Sequence, residues 1–261
     1  MIWLELLRYR HFILANALSE TRHRYAGTAM GVFWHVIQPL ALIFLFSFIF
    51  AGYFPMRQGA SSTTSSFLHI MSGMLPWLAF VDGLSRSTMS LTENAHYLRK
   101  LPLPESIFVA RTAASAAVTM TISLALAAVA TIVFGILPTL AWLTIPLAGL
   151  LMIGFAFGLG LILAPIHVFL RDTGQAVNVF TQFWMWLTPI VLAESVLPAL
   201  LREAQTFNPA YWFVTAIRTP LLTGEAAPLH AWIVMVVLVV VTVLVGGRMT
   251  KVMRSDIRDT L

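Results

Sequence analysis

The sequence predicts an all-α integral membrane protein: six transmembrane helices, an interfacial amphipathic helix ahead of them, and outer-leaflet re-entrant helices between the fifth and the sixth. Three observations carry this expectation. Of 261 residues, 59% are hydrophobic and only 10% charged, with a mean hydropathy of +0.84, whereas a soluble domain carries about a quarter charged residues. Six apolar runs each approach the ~20 residues that cross a ~30 Å hydrocarbon layer. The basic residues fall in alternate connections between those runs, the asymmetry that orients membrane proteins.

The whole chain, 1–261, reads as a single transmembrane domain. Residues 1–24 form the interfacial helix, 25–193 carry helices one to five, 194–224 are the re-entrant region, and 231–261 hold the sixth helix and a tail. In the first segment Ile2, Trp3, Leu6, Leu7, Ile13, Leu14, Ala17 and Leu18 share one broad helical face opposite Glu5, Arg8, Asn16 and Ser19. That pattern suits a helix lying in the interface. Arg10 and Phe12 fall on the wrong arcs; Arg10 can snorkel to the headgroups, and Phe12 has no such account. Glu5, Arg8, Arg10 and His11 interrupt any apolar core, so the start is not expected to be a secretory signal.

The apolar runs lie at about 31–53, 67–90, 105–134, 141–168, 175–193 and 231–247. The third and fourth are long enough to tilt or to project beyond the bilayer. Arg8, Arg10, Arg22, Arg24, Arg86, Arg99, Lys100, Arg111, Arg171, Arg248, Lys251, Arg254 and Arg258 fall on one side, against Arg57, Arg202 and Arg218 on the other. Both termini are therefore expected in the cytoplasm. The loop from Pro55 to Ser66 is rich in Ser, Thr and Gly and falls outside. The segment from Glu194 to Gly224 is apolar yet broken by Pro198, Pro209 and Pro220. Two short helices that dip into the outer leaflet and return fit it, because irregular backbone at membrane depth needs protein or a water-filled path around it.

Composition also narrows the function. The formal charge of +5 is read as topology and not as a nucleic-acid surface, since its residues sit in short connections. With no cysteine there is no disulfide, thiolate metal site or cysteine nucleophile. The two lysines, Lys100 and Lys251, follow no phosphate-binding loop of the Gly-x-x-x-x-Gly-Lys type, so the chain is not expected to be an ATPase itself. His35, His69 and His167 are dispersed at no ligand spacing, and no metal is expected.

Asp82 and Arg86 stand four apart and can pair on one helical face. A structural ion pair is the favoured reading over a proton relay, which needs a chain of acids. Gly154 and Gly158, with Gly149 and Gly160 nearby, allow close helix approach, within the subunit or between two copies; internal packing is favoured. Aromatic clusters at Trp77 and Phe80, at Phe183, Trp184 and Trp186, and at Tyr211, Trp212 and Phe213 suit either sugar stacking or interfacial anchoring. The loop from Glu93 to Ser106 places an amphipathic piece before two prolines, with Pro104 suited to start the third helix. Such a loop can transmit force to a partner.

In order and spacing these features resemble the permease subunits of polysaccharide-exporting ABC transporters, the Wzm, KpsM and TagG group. The likeness begins at Arg24-Tyr25-Ala26-Gly27-Thr28-Ala29-Met30-Gly31-Val32-Phe33-Trp34 and Gln38-Pro39-Leu40. It continues through Leu75-Pro76-Trp77, Leu84-Ser85-Arg86 and Thr92-Glu93 to Pro104. Phe169-Leu170-Arg171-Asp172, Trp186-Leu187-Thr188-Pro189-Ile190-Val191, Phe207-Asn208-Pro209 and the ending Ser255-Asp256-Ile257-Arg258-Asp259 complete it.

The resemblance implies a homodimer that carries two copies of a separate cytoplasmic ATPase, which binds the ATP and magnesium, and a lipid-linked glycan as cargo. Periplasmic export proteins are a further class of partner it allows. By that likeness the N-terminal helix and the stretch Glu93, Asn94, His96, Tyr97, Leu98 and Arg99 dock the ATPase, with a second contact at Arg171 and Asp172. The first and fifth helices would flank a side opening, and Trp77, Phe80, Phe183, Trp184 and Trp186 would line the path. The motif wording is closest to O-antigen exporters, with capsule the near alternative. A permease for a smaller lipid or drug, a proton-coupled carrier and a membrane enzyme on lipid-linked sugars remain as competing classes. The last two would need mid-membrane acids or a clustered acid, histidine or metal constellation.

Overall fold

The computed structural model describes residues 8–23, 33–53, 63–100, 103–192, 194 and 197–261. All regular structure among them is helical. In chain order the helices are α1 (Arg10–His23), α2 (Trp34–Tyr53), α3 (Thr63–Glu93), α4 (Ala95–Lys100), α5 (Ser106–Val133) and α6 (Ile145–Phe169). They continue with α7 (Thr173–Leu187), α8 (Ala199–Ala204), α9 (Pro209–Thr223), α10 (Leu229–Val252) and α11 (Arg254–Thr260).

α3 is the centre of the bundle. Its 31 residues make a rod of roughly 46 Å, and it packs against α2, α5, α6, α7 and α9. A helix buried all round needs apolar or self-satisfied residues on every face, and α3 supplies them. Ile70, Met71, Leu75 and Leu91 are fully buried, while the Thr88 and Ser90 hydroxyls donate to carbonyls of their own helix. α1 packs on α5, burying Ile13 and Ala17 of the expected apolar face and leaving Phe12 exposed.

α6 and α10 approach most closely where side chains are missing. A Cβ on Gly158 would fall 2.9 Å from the backbone nitrogen of Val243, and one on Gly246 would fall 2.9 Å from the Gly158 carbonyl oxygen. The Thr250 hydroxyl bonds across to the Leu161 carbonyl at 3.0 Å. The expected Gly154/Gly158 pair thus packs inside the subunit, with Gly154 facing Val239.

Among the described residues four helical stretches are long and apolar enough to cross a membrane: Ser66–Glu93, Ser106–Val133, Leu140–Phe169 and Leu229–Val252. These answer the second, third, fourth and sixth expected runs. The run at 31–53 appears as the 20-residue α2, which contains Pro39. The run at 175–193 is shorter as a helix than as a hydrophobic stretch. α7 has 15 residues, about 22 Å, because Pro189 has no N–H to continue the ladder and 188–190 fold into a turn, with Ile190 N donating to the Thr188 carbonyl. The segment from 197 onward forms α8, a 3-10 turn at Gln205–Phe207, and α9. α9 is well buried, with Phe213, Val214, Ala216, Ile217 and Leu221 against α3, α6 and α10.

Candidate functional site

Glu93, Glu105, Arg171, Lys251 and Arg254 gather at one end of the bundle, where α3 runs into α4 and where α5 begins, α6 ends and α11 folds back. Asn94 breaks α3 and starts α4. Its buried amide donates to the Ser90 carbonyl at 2.7 Å and accepts from Arg111 Nη2 at 3.1 Å. Its own carbonyl accepts from Tyr97 N and Leu98 N. The helix that follows is two-sided. Leu98, 1% exposed, plugs into the core, whereas Tyr97 is 53% exposed and Glu93, His96 and Arg99 also face outward. The residues expected to couple therefore divide into a buried pair, Asn94 and Leu98, and an outward-facing set.

Arg171 and Asp172 occupy the exposed two-residue turn between α6 and α7, where the Thr173 hydroxyl donates to the Leu170 carbonyl at 2.7 Å. The structure brings this turn beside α4. A groove of about 460 Å³ is lined by Glu93, His167 and Arg171, and by Thr260 of α11. The two predicted contact regions, far apart in sequence, thus share one polar surface.

A fastening at the same end was not foreseen. Glu105, 3% exposed, accepts from Arg258 Nε at 2.8 Å and Arg254 Nε at 3.2 Å, and Arg258 Nη2 reaches the Leu103 carbonyl at 2.8 Å. α11 is held by this pairing against the start of α5. The two prolines before Glu105 and the arginines of the ending were visible in the sequence, but their juxtaposition was not.

At the opposite end Asn208 joins α7 to α9. Its side-chain oxygen accepts from Trp184 Nε1 at 2.7 Å and from Ala210 N at 3.1 Å, capping α9. Its amide donates to the Thr188 hydroxyl at 3.1 Å and to Gln205 Oε1 at 3.2 Å. Pro209 at the first helical position completes the start, since its missing N–H costs nothing there. Arg218, read from sequence as a loop cation, reaches into the bundle. It donates to the carbonyls of Pro189 at 2.6 Å and Ile190 at 3.2 Å and to the Ser72 hydroxyl at 3.3 Å. A Cβ on Gly73 would collide with its guanidinium.

The aromatic candidates separate by burial. Trp77, Phe80 and Trp184 are 2%, 1% and 9% exposed and pack together with Phe155 and Phe213. Phe183 and Trp186 are 67% and 47% exposed, with Trp186 edge-on to Phe46 of α2. Asp82 and Arg86 form an ion pair at 2.8 Å, and Arg86 Nη1 also donates to Ser115 of α5 at 3.2 Å. That geometry ties α3 to α5. Among the described residues no three His, Asp or Glu side chains converge as metal ligands would. Arg24, Tyr25, Gly27 and Gly31 lie outside the described residues.

A family model described as ABC-2 type transporter matches residues 12–222. The chain is 25% identical over 207 residues to the O-antigen export system permease protein RfbA of Klebsiella pneumoniae, covering 79% of this chain and 78% of that one. It is 24% identical over 193 residues to RfbA of Myxococcus xanthus, covering 74% and 72%. It is also 27% identical over 213 residues to the capsule polysaccharide export inner-membrane protein BexB of Haemophilus influenzae, covering 77% and 73%.

Proposed function

The chain belongs to the ABC-2 type transporter family, and from that premise we propose that it is the membrane permease of a polysaccharide exporter, moving a lipid-linked O-antigen or capsular glycan across the bacterial inner membrane. Energy would come from ATP and magnesium bound by two copies of a separate ATPase on the cytoplasmic side. The permease itself would work as a homodimer, with periplasmic export proteins as further partners.

One observation carries the coupling part of this reading: Glu93 and Arg171 line a single groove beside the outward face of α4. A polar groove at the basic end of a membrane bundle suits a soluble ATPase that must push on α3 and α6 together. In this reading α2 and α7 serve as the first and fifth crossings, both termini are cytoplasmic, and α8 with α9 is the outer re-entrant pair. The glycan path then follows exposed Phe183 and Trp186, whose faces can stack on sugar rings, while buried Trp77, Phe80 and Trp184 support the wall behind them. Sequence similarity to O-antigen and capsule permeases supports the cargo class.

The test is reconstitution of the chain with the ATPase that copurifies from its native cells. Lipid-linked glycan should raise ATP hydrolysis and appear on the far side of the vesicle. Transport by the chain without an ATPase, or far-side location of its termini, would overturn the reading.

A further inference from the structure

A second polar cavity, of about 330 Å³, opens between the Pro104–Ser106 start of α5 and the last turns of α10 at Gly247 and Lys251, with Arg254 at its rim. It is separate from the groove at Glu93 and Arg171. Its lining carries two cations, Lys251 and Arg254, and one carboxylate. The one carboxylate lining it, Glu105, engages Arg254 only through Nε, which leaves the terminal guanidinium nitrogens of Arg254 without a protein partner among the described residues. Lys251 and Arg248 stand exposed on the same stretch of helix.

The face that carries these cations continues as lipid-facing surface. Val237, Val241 and Leu244 are exposed and recur at four- and three-residue spacing, which puts them in line with Arg248 and Lys251 on α10. An apolar stripe that ends in a basic pocket matches a molecule with acyl chains and a phosphate head. A free anion would have no use for the stripe. Basic pockets between transmembrane helices on the cytoplasmic side bind anionic lipid heads in this manner.

We infer that the cavity between α5 and α10 is a binding site for an anionic phospholipid of the inner leaflet, its phosphate held by Lys251 and Arg254 and its chains lying along Val237, Val241 and Leu244. The inference rests on the proposed orientation, with this end of the bundle inside. The bound head would bridge α10 to α11 at the point where Glu105 already ties α11 to the start of α5. Lipid composition would thereby tune how firmly this end is held.

Native mass spectrometry of the detergent-purified full chain tests it, with phosphatidylglycerol and phosphatidylcholine of identical acyl chains as probes. Phosphatidylglycerol should be retained preferentially. Lys251→Gln should weaken that retention about fivefold, the loss expected for one basic residue near a membrane surface. Lys100→Gln, which removes an equal charge from the exposed side of α4, should leave it unchanged. Equal retention of both lipids, equal loss in the two variants, or displacement of the lipid by millimolar inorganic phosphate would overturn the site. Because the readout requires no transport, a chain that exports glycan yet shows no lipid preference would refute this inference alone.

Discussion

Trp184 donates its indole N–H to the side-chain oxygen of Asn208 at 2.7 Å, so a core aromatic on α7 is fixed by the residue that caps α9. The same oxygen accepts from Ala210 N, and the amide nitrogen reaches Thr188 and Gln205. Asn208→Ala should therefore lose a helix cap and orphan a donor together. The expected cost is about 2–4 kcal/mol, from ~1 for the cap and 1–3 for the unsatisfied group. Asn208→Asp keeps the acceptor and should cost less. Thermal unfolding in detergent ranks the three proteins, and an alanine variant that melts with the parent would contradict the hub.

At the α6–α10 crossing the backbone itself is in the way. Gly158→Ala should force the helices apart or distort them, since its Cβ meets Thr242 and the Val243 nitrogen. Overpacking of this kind costs about 1–3 kcal/mol. Gly154→Ala faces only the Val239 methyls, at 3.2 and 3.7 Å, which can rotate away. Membrane abundance should fall for Gly158→Ala well below that for Gly154→Ala; equal levels would place the close contact elsewhere.

The α4 residues give a paired test of anchoring against docking. Leu98→Ala removes a fully buried side chain and should lower stability by roughly 2–5 kcal/mol. Tyr97→Ala and Glu93→Gln alter outward groups and should leave abundance intact while uncoupling ATP hydrolysis from export. Normal export by both outward variants would remove them from the coupling surface.

Burial predicts opposite phenotypes for neighbouring aromatics. Trp184→Ala opens the core and should destabilise by about 3–5 kcal/mol. A double Phe183→Ala, Trp186→Ala variant should fold normally and pass glycan poorly. Export normalised to membrane abundance separates the two effects, and a folding defect in the double variant would return these residues to a packing role.

Glu105→Gln should free α11. The neutral amide no longer balances Arg258 and Arg254, and both guanidinium groups are partly exposed and can turn to water. Hydrogen exchange over Arg254–Thr260 should rise while α5 stays protected. Unchanged exchange would mean that Ile257, fully buried, holds the helix alone.

The sequence by itself determined the class of the molecule and much of its punctuation. A composition of 59% hydrophobic and 10% charged residues cannot cover a surface in water, so a helical membrane bundle followed directly. The expected 105–134 and 231–247 differ from α5 and α10 by a few residues, because Pro104 and the basic ending mark boundaries that local chemistry sets. The four-residue spacing of Asp82 and Arg86 foretold their pairing for the same reason: within one helix, spacing is geometry.

Tertiary structure decided what each residue faces. Trp184 and Trp186 look alike in sequence, yet the turn at Pro189 and the cap at Asn208 hold one in the core and leave the other exposed. Glu93 and Arg171 come to line one groove, and Glu105 finds Arg258, only after the helices pack. Hydrophobic periodicity fixes that a helix is buried but not against which neighbour. That choice is made by close backbone approach at glycines such as Gly158 and Gly246, and by half-buried polar groups such as Arg218 that must find their acceptors on another element.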